Sequence, residues 1–201
     1  MDIKEFTRQI KAKRKELDDL IRRKMPVYAG RLAKTHYQDN FRKSGFVNNG
    51  LKKWKQAKRL SSGGTDAGSN YGTLLSSRNL LFGSINYTPG IGKVKISNNL
   101  VYAPAHNWGE NLHPTVTAKM RRFAWAKYYQ SGGGKKKAGN ATGGGENTES
   151  PEASKWKGLA LTKKTKLDIK MPQRQFLGES KELDEKIGNK IEMETRKILN
   201  S

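Results

Sequence analysis

The chain has 201 residues, 40 of them Lys or Arg and 18 Asp or Glu, for a formal net charge of +22. It contains no cysteine, which excludes disulfide scaffolds, thiolate metal centres and cysteine nucleophiles. Hydrophobic residues make up 34%, enough for a small core in one domain of this length.

The charge exceeds what solubility needs, roughly 2–8 units for a small domain. It points to a polyanionic partner, with nucleic acid first and an anionic membrane or acidic protein surface second. No apolar run reaches the roughly 18 residues of a membrane span. The opening MDIKEFTRQIKAKRK has no secretory h-region. The expectation is a chain made in a reducing cytoplasm, with no membrane partner.

Residues 2–25 read as an amphipathic helix. Asp2 is placed to cap it, with Glu5 three positions on as in a capping box. Ile3, Phe6, Ile10, Leu17, Leu20 and Ile21 share one face, which is read as packing against a sheet. Pro26 should end or kink this helix and open the next. That second helix is expected over 27–43, with Ala29, Ala33, Tyr37 and Phe41 four apart. Residues 44–72, rich in Gly, Ser, Asn and Lys, read as a loop tacked down by Leu51 and Trp54.

A short apolar segment follows, with Leu74, Leu75, Leu80, Leu81 and Phe82. Next comes SINYTPGIGKVKISNN, where Ile85 and Tyr87, then Val94 and Ile96, alternate with polar neighbours around TPGIG. This predicts a β-hairpin with a five-residue turn. A corner, VYAPAHNWGE, comes directly after it. TAKMRRFAWAKYY (117–129) predicts a basic helix with Thr117 as cap; Met120, Phe123, Ala124 and Tyr128 line one side.

The tract 131–155 carries no large apolar residue and reads as flexible. WKGLALTKKTKLDIK (156–170) alternates like a strand. The last segment predicts a helix capped by Ser180, with Leu183, Ile187, Ile191 and Ile198 at helical spacing and Glu182 and Asp184 in its first turn. The fold class is α+β: a small antiparallel sheet packed by N-terminal and C-terminal helices in one domain, with a long Gly/Lys-rich loop or extended hairpin.

No phosphate-cradling loop, GxSxG or HExxH occurs; GGGKKK lacks the spacing and the hydroxyl ligand of a P-loop. His106 and His113 have no carboxylate cluster that would complete a metal set. A His106–Glu110 acid–base pair is conceivable, and a hydrogen-bonded structural histidine beside Trp108 is the simpler reading. Asn140-Ala-Thr142 matches a glycosylation pattern that means nothing without secretion. In the basic helix, Phe123, Trp125 and Tyr128 are interleaved with Lys119, Arg121, Arg122 and Lys127. Such aromatics could stack on exposed bases, but their helical spacing reads as core.

Two blocks resemble the Mu-type phage virion morphogenesis family, also called the tail completion family. The first supplies Tyr102, Ala103, His106, Trp108 and Gly109 to a Tyr-Ala, His, aromatic, Gly pattern. The second, MPQRQFLGES, supplies Pro172, Arg174, Phe176, Leu177 and Gly178 to a closing Pro-x-Arg-x-Phe-Leu-Gly motif ahead of a last helix. FRKSGFVNNGLKKWKQAKR is a weaker third block. SSRNL at 76–80 departs from the family's Thr-Gly-x-Leu.

The resemblance implies a structural virion protein at the neck or tail of a tailed phage, needed for head–tail joining. It implies no catalysis and no cofactor. Its partners would be itself in a ring (a hexamer by analogy with tail components), neighbouring neck, connector or tail proteins, and genomic DNA in the channel. Under that reading Tyr102 and Trp108 pack the corner and Gly109 takes an angle other residues resist. His106 ties loop to sheet, and Phe176 and Leu177 enter the core. Lys119, Arg121, Arg122, Lys135, Lys136 and Lys137 face DNA or an acidic neighbour. The alternative is a sequence-nonspecific nucleic-acid-binding or packaging accessory protein, which explains the charge but not the two blocks.

Overall fold

A computed structural model describes residues 2–61, 71–134 and 149–201. The fold class is α+β, and the chain divides into two compact units. One comprises residues 1–110 and 171–201, the other 111–170. The tract expected to be flexible lies mostly outside the described residues, and Lys135, Lys136 and Lys137 lie wholly outside them.

The first unit opens with α1 (Ile3–Asp19), a π-helical segment (Leu20–Lys24) and α2 (Met25–Arg42) in unbroken succession. Pro26 does not end the helix, one of the outcomes that the sequence allowed, but it stands in the first turn of α2 as expected. Proline has no N–H to give the Arg22 carbonyl four residues back. The chain widens by one residue ahead of it, so the Met25 N–H reaches the Leu20 carbonyl. The Arg22 carbonyl instead accepts from the Gly92 N–H, 2.9 Å away. Asp2 makes no side-chain cap bond, so the predicted capping box is absent. Nor does α1 bury its apolar face against a sheet: none of its residues is buried.

Two hairpins follow. The first, β1 (Gly45–Val47) with β2 (Leu51–Lys53), is antiparallel and occupies sequence read as loop. Its strands are only three residues long, too short for alternation to show. Leu51 is exposed rather than anchoring, while Trp54 does anchor, its Nε1–H donating to the Gln175 carbonyl at 2.7 Å.

After α3 (Lys58–Ser61) and α4 (Leu80–Gly83) comes the second hairpin, β3 (Ile85–Gly90) with β4 (Lys93–Asn98). Its ladder runs to Gly90 opposite Lys93, so the turn is two residues and not five. Gly92 at φ +66° supplies the left-handed conformation that such a turn requires.

α2 lies on this hairpin through Gly30, where an added Cβ would stand 2.3 Å from the Tyr87 ring. The face of α2 predicted to be buried is buried: Ala29, Ala33, Tyr37 and Phe41. Phe41 sits at the centre of the core, fully buried. Its ring lies 5.4 Å from Trp54, 5.9 Å from Phe82 and 5.2 Å from Phe176, within the range where aromatic pairs attract beyond their burial. α8 (Lys181–Asn200) closes the unit. Ser180 caps it as predicted, its Oγ accepting from the Leu183 N–H, and Leu183 joins the core.

In the second unit α6 (Ala118–Gln130) packs against α7 (Pro151–Leu161). Thr117 caps α6, as predicted, by accepting from the Met120 N–H at 3.2 Å. Residues 156–161, read as strand, are helical. Ser150 caps α7 by accepting from the Ala153 N–H, and Pro151 and Glu152 suit its first turn. Ala153 and Ala160, buried seven residues apart, lie on one helical face. This start signal fell inside the stretch assigned to the Gly-rich tract. Of the proposed strand only β6 (Ile169–Met171) remains, paired with β5 (Glu110–Leu112). The strands thus form three two-stranded sheets among the described residues, and not the single small sheet expected.

Two glycines separate close packing from mere flexibility. Gly30→Ala should lower stability by about 2 kcal/mol through overpacking against Tyr87. Gly188→Ala, on an open face of α8, should raise it by about 0.5–1 kcal/mol. Urea unfolding of the two variants checks both signs.

Candidate functional site

The two sequence blocks meet in the first unit. α5 (Ala103–Trp108) runs beside the extended segment 172–178, and the polar contact between them centres on Asn107. Ala103, Ala105 and Asn107 are its buried residues. With apolar neighbours on that face, the Asn107 amide must find partners. Its Oδ1 accepts from the N–H groups of Phe176 (2.8 Å) and Leu177 (2.9 Å). Its Nδ2 donates to the Leu177 carbonyl at 3.1 Å.

The same segment is held from other sides. The His106 carbonyl accepts from the Arg174 N–H at 2.8 Å, the Asn40 amide reaches the Phe176 carbonyl, and the Tyr37 hydroxyl donates to the Gly178 carbonyl at 2.7 Å. Burial raises the Tyr37 phenol above its ordinary pKa, so it remains a donor. Phe176 itself is fully buried and Leu177 packs beside the core, as the resemblance implied.

Gly109 leaves α5 at φ +74°. A Cβ there would stand 3.0 Å from the Gln173 nitrogen and 3.2 Å from the Met171 carbonyl oxygen. The residue is therefore glycine for two reasons, angle and space. Tyr102 and Trp108 do not pack the corner: they are 43% and 62% exposed. The small alanines and Asn107 do that work, because α5 comes too close to the 172–178 segment for large rings between them.

His106 does not tie loop to sheet through its imidazole. Its Nδ1 is buried without a hydrogen-bond partner among the described residues, and the backbone makes the tie instead. Burial, then the charge of Arg174, holds its pKa below the ordinary 6.5. Glu110 is exposed and makes no ion pair or hydrogen bond with His106 among the described residues. His113 pairs elsewhere, with Asp168 at 2.7 Å. Among the described residues no group of three or more His, Asp or Glu is placed to hold a metal ion.

The Arg174 side chain is 8% exposed. Its Nε donates to the Lys55 carbonyl at 2.8 Å, and Pro172 sets the extended approach of the segment. Burial, then the like charge of Arg59, lowers its pKa, but a guanidinium stays protonated at neutral pH.

In the second unit the basic helix divides by face. Lys119, Arg122 and Phe123 are exposed. Arg121 is half-buried, and its Nη1 donates to the carbonyls of Ala160 and Thr162 at the C-terminus of α7. Tyr128 is buried and Trp125 half-buried, while Phe123 stands 54% exposed with its ring edge on Trp156. The aromatics read as core therefore form it only in part. Lys157 and the Tyr128 hydroxyl share the Glu149 carboxylate, and these two bonds lower its pKa, with Tyr128 the larger cause.

Asn107, Asn40 and Tyr37 went unremarked in the sequence as site residues. The available signal for Asn107 was its position four after Ala103, which places an amide on the apolar face of a short helix. No protein-family model, curated protein or solved structure matches the chain.

Asn107→Ala would strand two N–H groups and a carbonyl in the core, at a cost of about 3 kcal/mol, read as a lower urea midpoint with an unchanged slope. The pH dependence follows from His36 and His106, both held below 6.5 mainly by burial. As pH falls through 6.5 the unfolded chain takes up these protons first. Stability should therefore be full above 6.5 and fall below it. Melting temperatures at pH 7.5 and 5.5 check the sign, and His106→Gln should flatten the slope.

Proposed function

We propose that the protein is a structural component of a tailed phage, acting at the neck or tail so that head and tail join, and that it works by assembly and not by catalysis. The observation that carries this reading is the meeting of the two family-like blocks. They lie about seventy residues apart, as with Asn107 and Leu177, and Asn107, inside the first block, clamps the backbone of Phe176 and Leu177 in the second. That is the expected use of such motifs in a scaffold protein.

α1 supports the assembly step. Ile3 is 81% exposed, and Phe6 and Ile10 are each more than half exposed, as is Ile21 in the π-helical segment that follows. Covering side chains of this size contributes about 1.5–3 kcal/mol each. Lys4, Arg8, Lys11, Lys13, Arg14 and Lys15 share the helix, so a symmetric α1–α1 pairing would set cation against cation. A head-to-tail contact places α1 on a different surface of the next copy, and a closed series of such contacts is a ring. Lys119 and Arg122 remain available for an acidic neighbour or for DNA phosphates in the channel.

A second reading, a sequence-nonspecific nucleic-acid-binding or packaging protein, is favoured by the net charge of +22 and by exposed Phe123 and Tyr129 on the same helix as exposed Arg122.

Deleting the gene from the phage or prophage that carries it should leave filled heads and tails unjoined, or tails of abnormal length, in electron micrographs of the lysate. Normal infectious particles would sink the reading. In the purified chain, Phe6→Glu with Ile10→Glu should reduce a ring-sized species in mass photometry to the monomer. A wild-type monomer that retains duplex DNA at physiological salt would favour the second reading instead.

A further inference from the structure

The first unit holds a cavity of about 410 Å³ that the clamp does not explain. Its walls include Leu74, Leu75, Leu80 and Leu81, and its polar lining includes Arg174, Arg59 and His106, with Ser76 and Ser77. The volume falls in the range of ligand pockets, about 300–1,000 Å³.

Two of its polar side chains carry nitrogens without a protein partner among the described residues, Arg174 and His106. Arg174, 8% exposed, spends its Nε on the Lys55 carbonyl, and among the described residues no hydrogen bond or ion pair engages its two Nη atoms. The Arg59 Nη2 is engaged by the carbonyls of Tyr71, Gly72 and Leu75. Beside them the buried Nδ1 of His106 has no partner among the described residues. The imidazole nitrogen, withdrawn from water on this recess, is costly unless something bonds it, and the Nη pair of the nearly buried Arg174 lies on the same recess as an open donor.

We infer that this cavity is a binding site for a carboxylate carried on an apolar stem, received by the Nη pair of Arg174 with His106 at its side. The free part of Arg174 is a planar two-pronged fork, which matches the two oxygens of a carboxylate. A carboxylate needs no more than that fork and the imidazole beside it, whereas a phosphate dianion would also have to draw on Ser76, Ser77 and Arg78 at the exposed rim. The leucines suit the stem. A duplex backbone is too broad to bring a phosphate into such a recess, whereas an acidic side chain of a peptide, or a free carboxylic acid, fits. The inference does not depend on the phage reading, since it concerns the isolated chain.

The test follows the Arg174 Nε–H resonance and the His106 imidazole resonances in labelled full-length protein. Four probes are titrated: a blocked leucine–glutamate peptide, its leucine–glutamine counterpart, 4-methylpentanoate and inorganic phosphate. The expected result is saturable shifts with one or both carboxylates at millimolar concentration or below, and none with the glutamine peptide. Arg174→Lys keeps the charge but loses the fork and should weaken binding at least tenfold. Ser77→Trp, at the exposed rim, leaves the guanidinium untouched and should block entry. Tighter binding of the peptide would identify a protein partner, and tighter binding of the free acid a small-molecule ligand; either supports the site. Shifts with phosphate alone, no saturation with any probe, or undiminished binding to both variants would overturn it.

Discussion

Three hydrogen bonds from one side chain hold the first unit together. The Asn107 amide takes the N–H groups of Phe176 and Leu177 and returns a bond to the Leu177 carbonyl. An extended segment buried in a core has backbone groups that no sheet neighbour satisfies. Asn107 supplies what a strand partner would have supplied, and Asn40, Tyr37 and Trp54 supply more. With its polar groups met, the segment can bury Phe176 against Phe41. It leads into Ser180 at the start of α8. The close approach also explains the company Asn107 keeps: alanines on its own face, and glycine at 109, where any Cβ would meet the passing chain.

A second dependency runs through Pro26. Its missing N–H frees the Arg22 carbonyl, and the hairpin tip occupies it through Gly92. A defect in a helix thus becomes a point of attachment for a hairpin, and α2 continues from there along β3 and β4. The helix N-terminal to the defect is different in kind, since α1 has the amphipathic pattern of a packed helix yet buries nothing. Its apolar stripe and its cations are both presented outward.

The buried cations follow the same logic at smaller scale. Arg121, half-buried, gives its Nη1 to the carbonyls of Ala160 and Thr162 at the end of α7. Arg174, more deeply buried, gives its Nε to the Lys55 carbonyl and lines the cavity. Two arginines that look equivalent in a basic sequence thus differ in burial and in which part of the guanidinium the fold engages.

Periodicity and turn chemistry alone determined much of this protein. The face of α2 with Phe41, the β3–β4 hairpin, the Thr117 and Ser180 caps and the α+β class were all legible, because each depends on residues within a few positions of one another. The features that depend on distant residues were not. One miss was local instead: residues 156–161 alternate like a strand, but the Ser150 cap just before them makes them helical. Tyr102 and Trp108 looked like packing residues, but the neighbouring segment left no room for rings. Asn107 looked ordinary until Phe176 and Leu177 were placed against it. The sequence determined local structure through short-range hydrogen bonds and the pattern of apolar side chains. Tertiary structure alone decided which polar groups are satisfied and which charges are left over, because partners for buried groups come from chain segments that sequence separation keeps apart.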